Sequence, residues 1–165
     1  MIRKAILDDL QSIMDIVAKT IILMRQEGNS QWNEDYPTSD VFSNDISTNS
    51  LYVYSNQEIV RGFICINMTS PNEYANACWN SDAEFIVLHR LAVHPDARKQ
   101  GVGSRLLRFA EDYAKKKGIS YIRTDTNNNN VGMNALFEKF GYTKVSEIRL
   151  RDLSVSFSCY DKILI

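Results

Sequence analysis

Apolar residues recur along this chain at two periods, and the switches between them lay out its elements. "MIRKAI" at 1–6 predicts a short strand. Leu10, Ile13, Met14, Val17, Ile21 and Met24 then fall at spacings of three and four, predicting a helix that Asp8 caps and Gly28 ends. Residues 29–40 are polar apart from Trp32 and Tyr36, and a short helix is expected after Pro37. "LYVYS" (51–55) and "EIVRGFICINM" (58–68) flank the turn residues Ser55, Asn56 and Gln57 and predict a hairpin. A polar loop carrying Tyr74 and Trp79 covers 69–83, and the dense apolar run "EFIVLHRLAV" at 84–93 predicts a buried strand.

Leu106, Leu107, Ala110, Tyr113 and Ala114 share one face of a helix expected over 103–117, with Gly118 just past its end. "ISYIRTD" is the next strand. Asn130 caps a helix whose face carries Met133, Leu136, Phe137 and Phe140, closed by Gly141. "YTKVSEIRL" and "VSFSCYDKILI" are the last strands. The order βααβββαβαββ predicts an α/β (α+β, mixed-sheet) fold with helices on both faces of one sheet. No internal repeat or linker divides it, so one domain over residues 1–165 is expected.

Composition adds bounds. At 165 residues, 44% apolar and 24% charged, the chain is long enough to bury one core. A formal charge of −1 provides no global field for nucleic acid or an acidic membrane. No apolar run approaches a membrane span, and "MIRKAILDDL" turns acidic too soon to be a signal peptide. Cys65, Cys78 and Cys159 lie far apart, and His89 and His94 are the only histidines. No metal-ligand spacing results, and reduced thiols in a cytoplasmic protein are the expectation.

Candidate chemistry concentrates in "RKQGVGSRLL", residues 98–107. Gly101 and Gly103 let the backbone turn tightly and approach a ligand without a Cβ in the way. The unsatisfied N–H groups of the helix start and its dipole then form a cradle for phosphate, with Arg98, Lys99 and Arg105 as counter-charges. A P-loop would need Gly-Lys-Ser/Thr here, which is absent. A dinucleotide fingerprint would need a third glycine at Leu106 and no "HPDARKQ" between Val93 and Gly101.

The whole segment "RLAVHPDARKQGVGSRLL" resembles the acetyl-CoA motif of the GNAT N-acetyltransferases, with Arg98, Gly101 and Gly103 in its fixed positions. "NNVGMNALFEKFGYTKV" is similar to that family's second motif. Asn130, Leu136, Lys139 and Gly141 match it, while Met133, Phe137 and Tyr142 stand where Ala, Tyr and Phe are usual. "IRKAILDDL", "QWNEDYP" and "CYDKIL" are similar to a bacterial branch, so the resemblance spans nearly the whole chain.

The resemblance implies a sheet splayed between its fourth and fifth strands and acetyl-CoA as cosubstrate. The pyrophosphate would lie on the backbone of Arg98, Lys99, Gln100, Gly101, Val102, Gly103 and Ser104. The pantetheine arm would run beside Leu91, Ala92 and Val93, with Asn130, Met133, Phe137 and Lys139 on the cofactor side of the second motif. The reaction implied is direct attack of a primary amine, on a small molecule or peptide, in a ternary complex. No nucleic-acid or membrane partner is expected, and the final strands are candidate homodimer edges. The alternatives are a CoA-binding module with weak or lost catalysis, and an acyltransferase using a longer donor.

An aliphatic ammonium has a pKa of about 10.4, so a base is needed. His89 is the candidate. Plain alternation puts it with Phe85, Val87 and Leu91, and puts Glu84, Leu88 and Arg90 on the other face. Glu84 is the reserve, should a bulge reverse that parity. Phe137 cannot protonate a departing thiolate as the tyrosine implied by the resemblance would; water or the hydroxyl of Ser104, Tyr142 or Tyr160 is the candidate substitute. Trp32, Tyr36, Tyr74 and Trp79 are candidates to line the acceptor pocket.

Overall fold

The computed structural model describes residues 1–150 and 154–165. Its elements are β1 (Ile2–Lys4), α1 (Leu10–Gln26), α2 (Ser39–Ser47), β2 (Leu51–Asn56), β3 (Ile59–Asn67), β4 (Phe85–Val93), α3 (Val102–Lys116), β5 (Tyr121–Asn127), α4 (Val131–Lys139), β6 (Thr143–Ile148) and β7 (Phe157–Ile163). They follow the order read from the periodicity. Local chemistry shifts some boundaries. Asp9 rather than Asp8 secures the entry to α1, accepting the Ile6 N–H at 2.8 Å while gripping Arg3 with both oxygens. The first hairpin turns at Gln57 and Glu58, whose φ of 49° and 65° suit a two-residue loop that matches strand twist.

One seven-stranded sheet runs β1-β2-β3-β4-β5-β7-β6. All neighbours are antiparallel except β4 and β5, which are parallel because α3 crosses between them. Helices α1 and α2 cover one face, burying Ile13, Ile16, Val17 and Phe42 against Val53 and Phe63. Helices α3 and α4 cover the other, burying Leu106, Leu107, Ala110 and Phe137 against Ile64, Ile86 and Ile122. Of the two final strands, only β6 is an edge; β7 lies between β5 and β6. No helix among the described residues is long and apolar enough to cross a membrane.

Gly62 sets how closely α3 approaches this sheet. A Cβ there would stand 2.9 Å from the Ala92 carbonyl and 3.1 Å from Val102 Cγ1. The start of α3 therefore rests directly on β3 and β4, which fixes the loop before it beside the end of β4.

Candidate active site

The site begins where the sheet comes apart. β4 pairs with β5 only from Phe85 opposite Tyr121 to Leu88 opposite Thr124. The Thr124 hydroxyl donates to the Leu88 carbonyl at 3.0 Å, closing the last rung. Beyond it β5 stays with β7 as far as Asn127, while β4 stays with β3 as far as Val93. A wedge opens between them.

A bulge in β4 bends it away. Arg90 and Leu91 together oppose Ile64, and Arg90 has a φ of 46°, a left-handed conformation costly for a side chain of this size. Its guanidinium is fixed by both Asp45 oxygens at 2.8 Å, and it donates to the Tyr36 hydroxyl at 3.0 Å and to Cys65 Sγ at 3.4 Å. Burial lifts the Asp45 carboxyl above the usual carboxylate range against the pull of Arg90, and burial pushes the Cys65 thiol up to about 12.

The alternation read from the sequence therefore holds only as far as His89. After the bulge, Arg90 shares the α2-side face with His89, and Ala92 packs there too. Leu91 and Val93 pack toward α3 and α4 instead. Glu84 precedes β4, is exposed, and lies at the end away from the wedge, before the bulge that was to bring it round.

A groove of about 400 Å³ occupies the wedge and its mouth. Its floor includes Leu91, Ala92 and Val93, and α4 contributes Asn130 and Met133. The His94 N–H goes to the Arg61 carbonyl on β3 at 2.8 Å, so alternation turns the main-chain groups of Val93 and Leu91 toward the open side. Arg98, Lys99, Gly101, Val102, Gly103 and Ser104 form the mouth. Gly101 has a φ of 78° and starts α3, whose first four-residue hydrogen bond runs from the Arg105 N–H to the Gly101 carbonyl. The amides of Val102, Gly103 and Ser104 precede that ladder, as a phosphate cradle requires. Glu27 holds Arg98 at 3.8 Å across the mouth. Asn130 caps α4 as expected, its Oδ1 accepting the Met133 N–H at 3.1 Å. Gln100 and Lys139 do not line the groove: the Gln100 amide donates to the Asp96 carbonyl at 2.8 Å, and Lys139 is exposed.

The groove narrows into a throat of about 40 Å³ past Met24, Leu91, Asn130 and Met133, where Phe137, His89 and Asp125 meet. A chamber of about 130 Å³ follows, walled by Trp32, Tyr36, Glu73, His89, Arg90 and Asp125 among others. Trp32 and Tyr36, two of the four aromatics singled out in the sequence, both wall this chamber. Tyr74 and Trp79 line a separate shallow pocket with Arg123, although the Tyr74 hydroxyl reaches through to donate to Asp125. Of the hydroxyls weighed against Phe137, Tyr160 donates to Asn134 Oδ1 at 2.7 Å within the core, and the buried Tyr142 hydroxyl has no hydrogen-bond partner among the described residues. Ser104 stays at the mouth.

His89 Nε2 lies 2.9 Å from Asn67 Oδ1 and 3.0 Å from the Thr69 carbonyl. Both are acceptors, so Nε2 carries the proton and Nδ1 keeps its lone pair. Burial, helped by the nearby Arg90 charge, lowers the imidazole pKa to about 4. An unfolded chain takes this proton near 6.5, so the stability from keeping His89 neutral is complete above that pH. It is lost as pH falls from 6.5 toward 4, by about 3 kcal/mol. NMR titration is expected to show one imidazole protonating near pH 4, assigned to His89 by its loss in His89→Gln. A midpoint near 6.5 would refute this.

Sequence reading overlooked Asp45, Asp125 and the α1 wall of Thr20, Met24, Glu27 and Asn29. An arginine inside the apolar run of β4 and a threonine in the apolar stripe of α1 were the available signals.

Comparison with known proteins places this geometry. A family model described as acetyltransferase (GNAT) family matches residues 19–142. The N-acetyltransferase YesJ of Bacillus subtilis is 26% identical over 142 residues, 84% of this chain and 78% of that one. A GNAT-family acetyltransferase structure from Streptococcus agalactiae superposes with a TM-score of 0.87 at 22% identity, covering 100% of this chain and 95% of its own. YncA of Salmonella typhimurium, solved with its cofactor acetyl-CoA, gives a TM-score of 0.73 at 16% identity over 100% and 94% of the chains. With the family match extending over most of its length, from α1 through α4, the chain belongs to the acetyltransferase (GNAT) family.

Proposed function

We propose that this protein transfers the acetyl group of acetyl-CoA to a primary amine of a small molecule or peptide, by direct attack in a ternary complex. The observation that carries this is the run of adjoining cavities with shared walls, from a mouth at the start of α3, along an opened strand edge, past a throat, to a chamber with aromatic and acidic walls. The groove residues suit the cosubstrate: a Cβ on Gly103 would fill space beside Leu136 and Val93, where a ligand backbone needs to approach. Acetyl-CoA in the YncA structure supports the same donor here.

In this reading the amine nitrogen attacks the thioester carbonyl, the C–N bond forms, the C–S bond breaks and the thiolate leaves. Main-chain N–H groups of the opened β4 edge polarise the carbonyl, which is worth about 3 kcal/mol per donor. A histidine titrating near 4 is a poor equilibrium acceptor for an ammonium proton near 10.4. His89 Nδ1 instead orients the neutral amine and accepts its proton once attack has made the nitrogen acidic. Thiols leave without much assistance near neutral pH, having a pKa of about 8.5, so Phe137 in the throat is compatible with turnover.

Thiol release from acetyl-CoA over a panel of polyamines, aminoglycosides, amino acids and N-terminal peptides tests the activity. Stimulation by at least one amine class is expected, with the rate rising with pH as the amine deprotonates and no break near 6.5. Tight acetyl-CoA binding with no acceptor found would favour the CoA-binding module that Phe137 suggests. A break near 6.5 that disappears in His89→Gln would make His89 an ordinary general base.

A further inference from the structure

The α1 side of the groove holds hydrogen-bonding capacity that no atom of the described residues uses. Thr20 is 2% exposed and its Oγ1 has no partner. Asn29 is 1% exposed; its Oδ1 accepts the Gln31 N–H at 3.0 Å, which fixes the orientation of the carboxamide and leaves Nδ2 without a partner. Both residues line the groove together with Met24 and Glu27, as do Leu91 and Val93 of β4, Asn130 at the cap of α4 and Met133 within it.

Unpaired buried polar groups destabilise a free protein. The rest of this helix face is apolar, with Ile13, Ile16, Val17, Ile21 and Met24 buried. Valine at position 20 would pack the same volume without an orphaned hydroxyl. Of the unpartnered buried groups among the described residues, Thr20 in that face and Asn29 just beyond α1 are the two that belong to residues lining this groove, and a ligand there would satisfy them.

We propose that Thr20 and Asn29 form a second polar wall that hydrogen-bonds the amide and hydroxyl groups of the pantetheine arm. The inference rests on reading the groove as an acyl-CoA site. An extended arm lying along β4 has its groups on one edge satisfied by the opened strand; those on its other edge turn away and need partners. The α1 wall supplies them. Asn29 Nδ2 donates to a carbonyl, and the Thr20 hydroxyl, which both donates and accepts, pairs with an amide or hydroxyl of the arm. Met24, Leu91 and Met133 take the apolar carbons between.

Calorimetric titration of Thr20→Val and Asn29→Asp with acetyl-CoA, and with 3′-phosphoadenosine 5′-diphosphate as the nucleotide half without the arm, tests this. Asn29→Asp keeps the acceptor for Gln31 and removes the donor. Each variant is expected to bind acetyl-CoA about 5-fold more weakly, with the affinity for the nucleotide half unchanged. Ligand-free Thr20→Val is expected to melt no lower than the parent protein, because an orphaned hydroxyl is removed. Unchanged acetyl-CoA affinity in both variants overturns the proposal, as does equal weakening of both ligands or a lower Tm for Thr20→Val. If the parent protein binds neither ligand, the reading of the groove itself fails, and the α1 wall with it.

Discussion

Gly103→Phe is expected to weaken acetyl-CoA binding by at least about 100-fold while leaving the protein folded, because the ring fills the groove that the cradle opens onto. Position 103 has ordinary helical geometry, so a side chain there meets no backbone strain. A Cβ would come 3.2 Å from Leu136 Cδ2 and 3.8 Å from Val93 Cγ2, and the first of these is the movable end of a flexible side chain. Gly103→Ala is therefore expected to match or exceed the parent in stability, by the roughly 1 kcal/mol that alanine gains over glycine in a helix. Gly101→Ala is the complementary variant. A φ of 78° makes it cost about 1 kcal/mol, although open space surrounds the added methyl. Titration calorimetry alongside thermal unfolding separates the effects. Wild-type affinity in Gly103→Phe would mean that the pyrophosphate does not sit on the start of α3.

Asp45→Ala is expected to lower the melting temperature by about 10 °C and to raise the KM for the acceptor more than that for acetyl-CoA. The Arg90 and Asp45 side chains are 13% and 5% exposed, so removing the carboxylate leaves a guanidinium buried with its charge unpaired. Breaking such a pair costs about 3–5 kcal/mol, and 1 kcal/mol corresponds to about 2–4 °C in a protein of this length. The functional effect follows from position. Arg90 ties the bulge of β4 to α2 and to Tyr36, a wall of the chamber rather than of the groove. The double variant Arg90→Met, Asp45→Leu replaces the pair with apolar groups and is expected to recover most of the stability. Its acceptor KM is expected to stay high, because the hydrogen bond to Tyr36 is gone. Recovery of both would show that the ion pair only fills space.

These effects divide along a line that also separates what could be read from the chain. The turn and helix start proposed as the cradle were legible in advance because their determinants are local: two glycines, a helix start and the strand before it lie within about a dozen consecutive residues. The Asn130 cap was legible for the same reason. The ion pair was not, since Arg90 and Asp45 are 45 residues apart and neither stands in a motif. Arg90 in an apolar strand was visible as an oddity, but the alternation rule assigned it to the wrong face, because a bulge adds one residue to a strand without altering its composition. Thr20 and Asn29 carried no local signal either: the first sits within a helix stripe and the second in the polar stretch after Gly28.

The sequence by itself determined the order of elements, the mixed sheet, the glycine turn that opens α3 and the family. All of these depend on periodicity and on residues close together in the chain, where backbone geometry leaves few alternatives. Only the tertiary structure decided how the sheet opens after Leu88, which face His89 and Arg90 share, and that His89 is half-buried with its Nε2 proton committed to Asn67 and Thr69. Those features arise from strand register and from contacts between distant segments. A one-residue shift in register changes every side chain beyond it, and a pKa is set by what surrounds the group in space rather than by its neighbours in the chain.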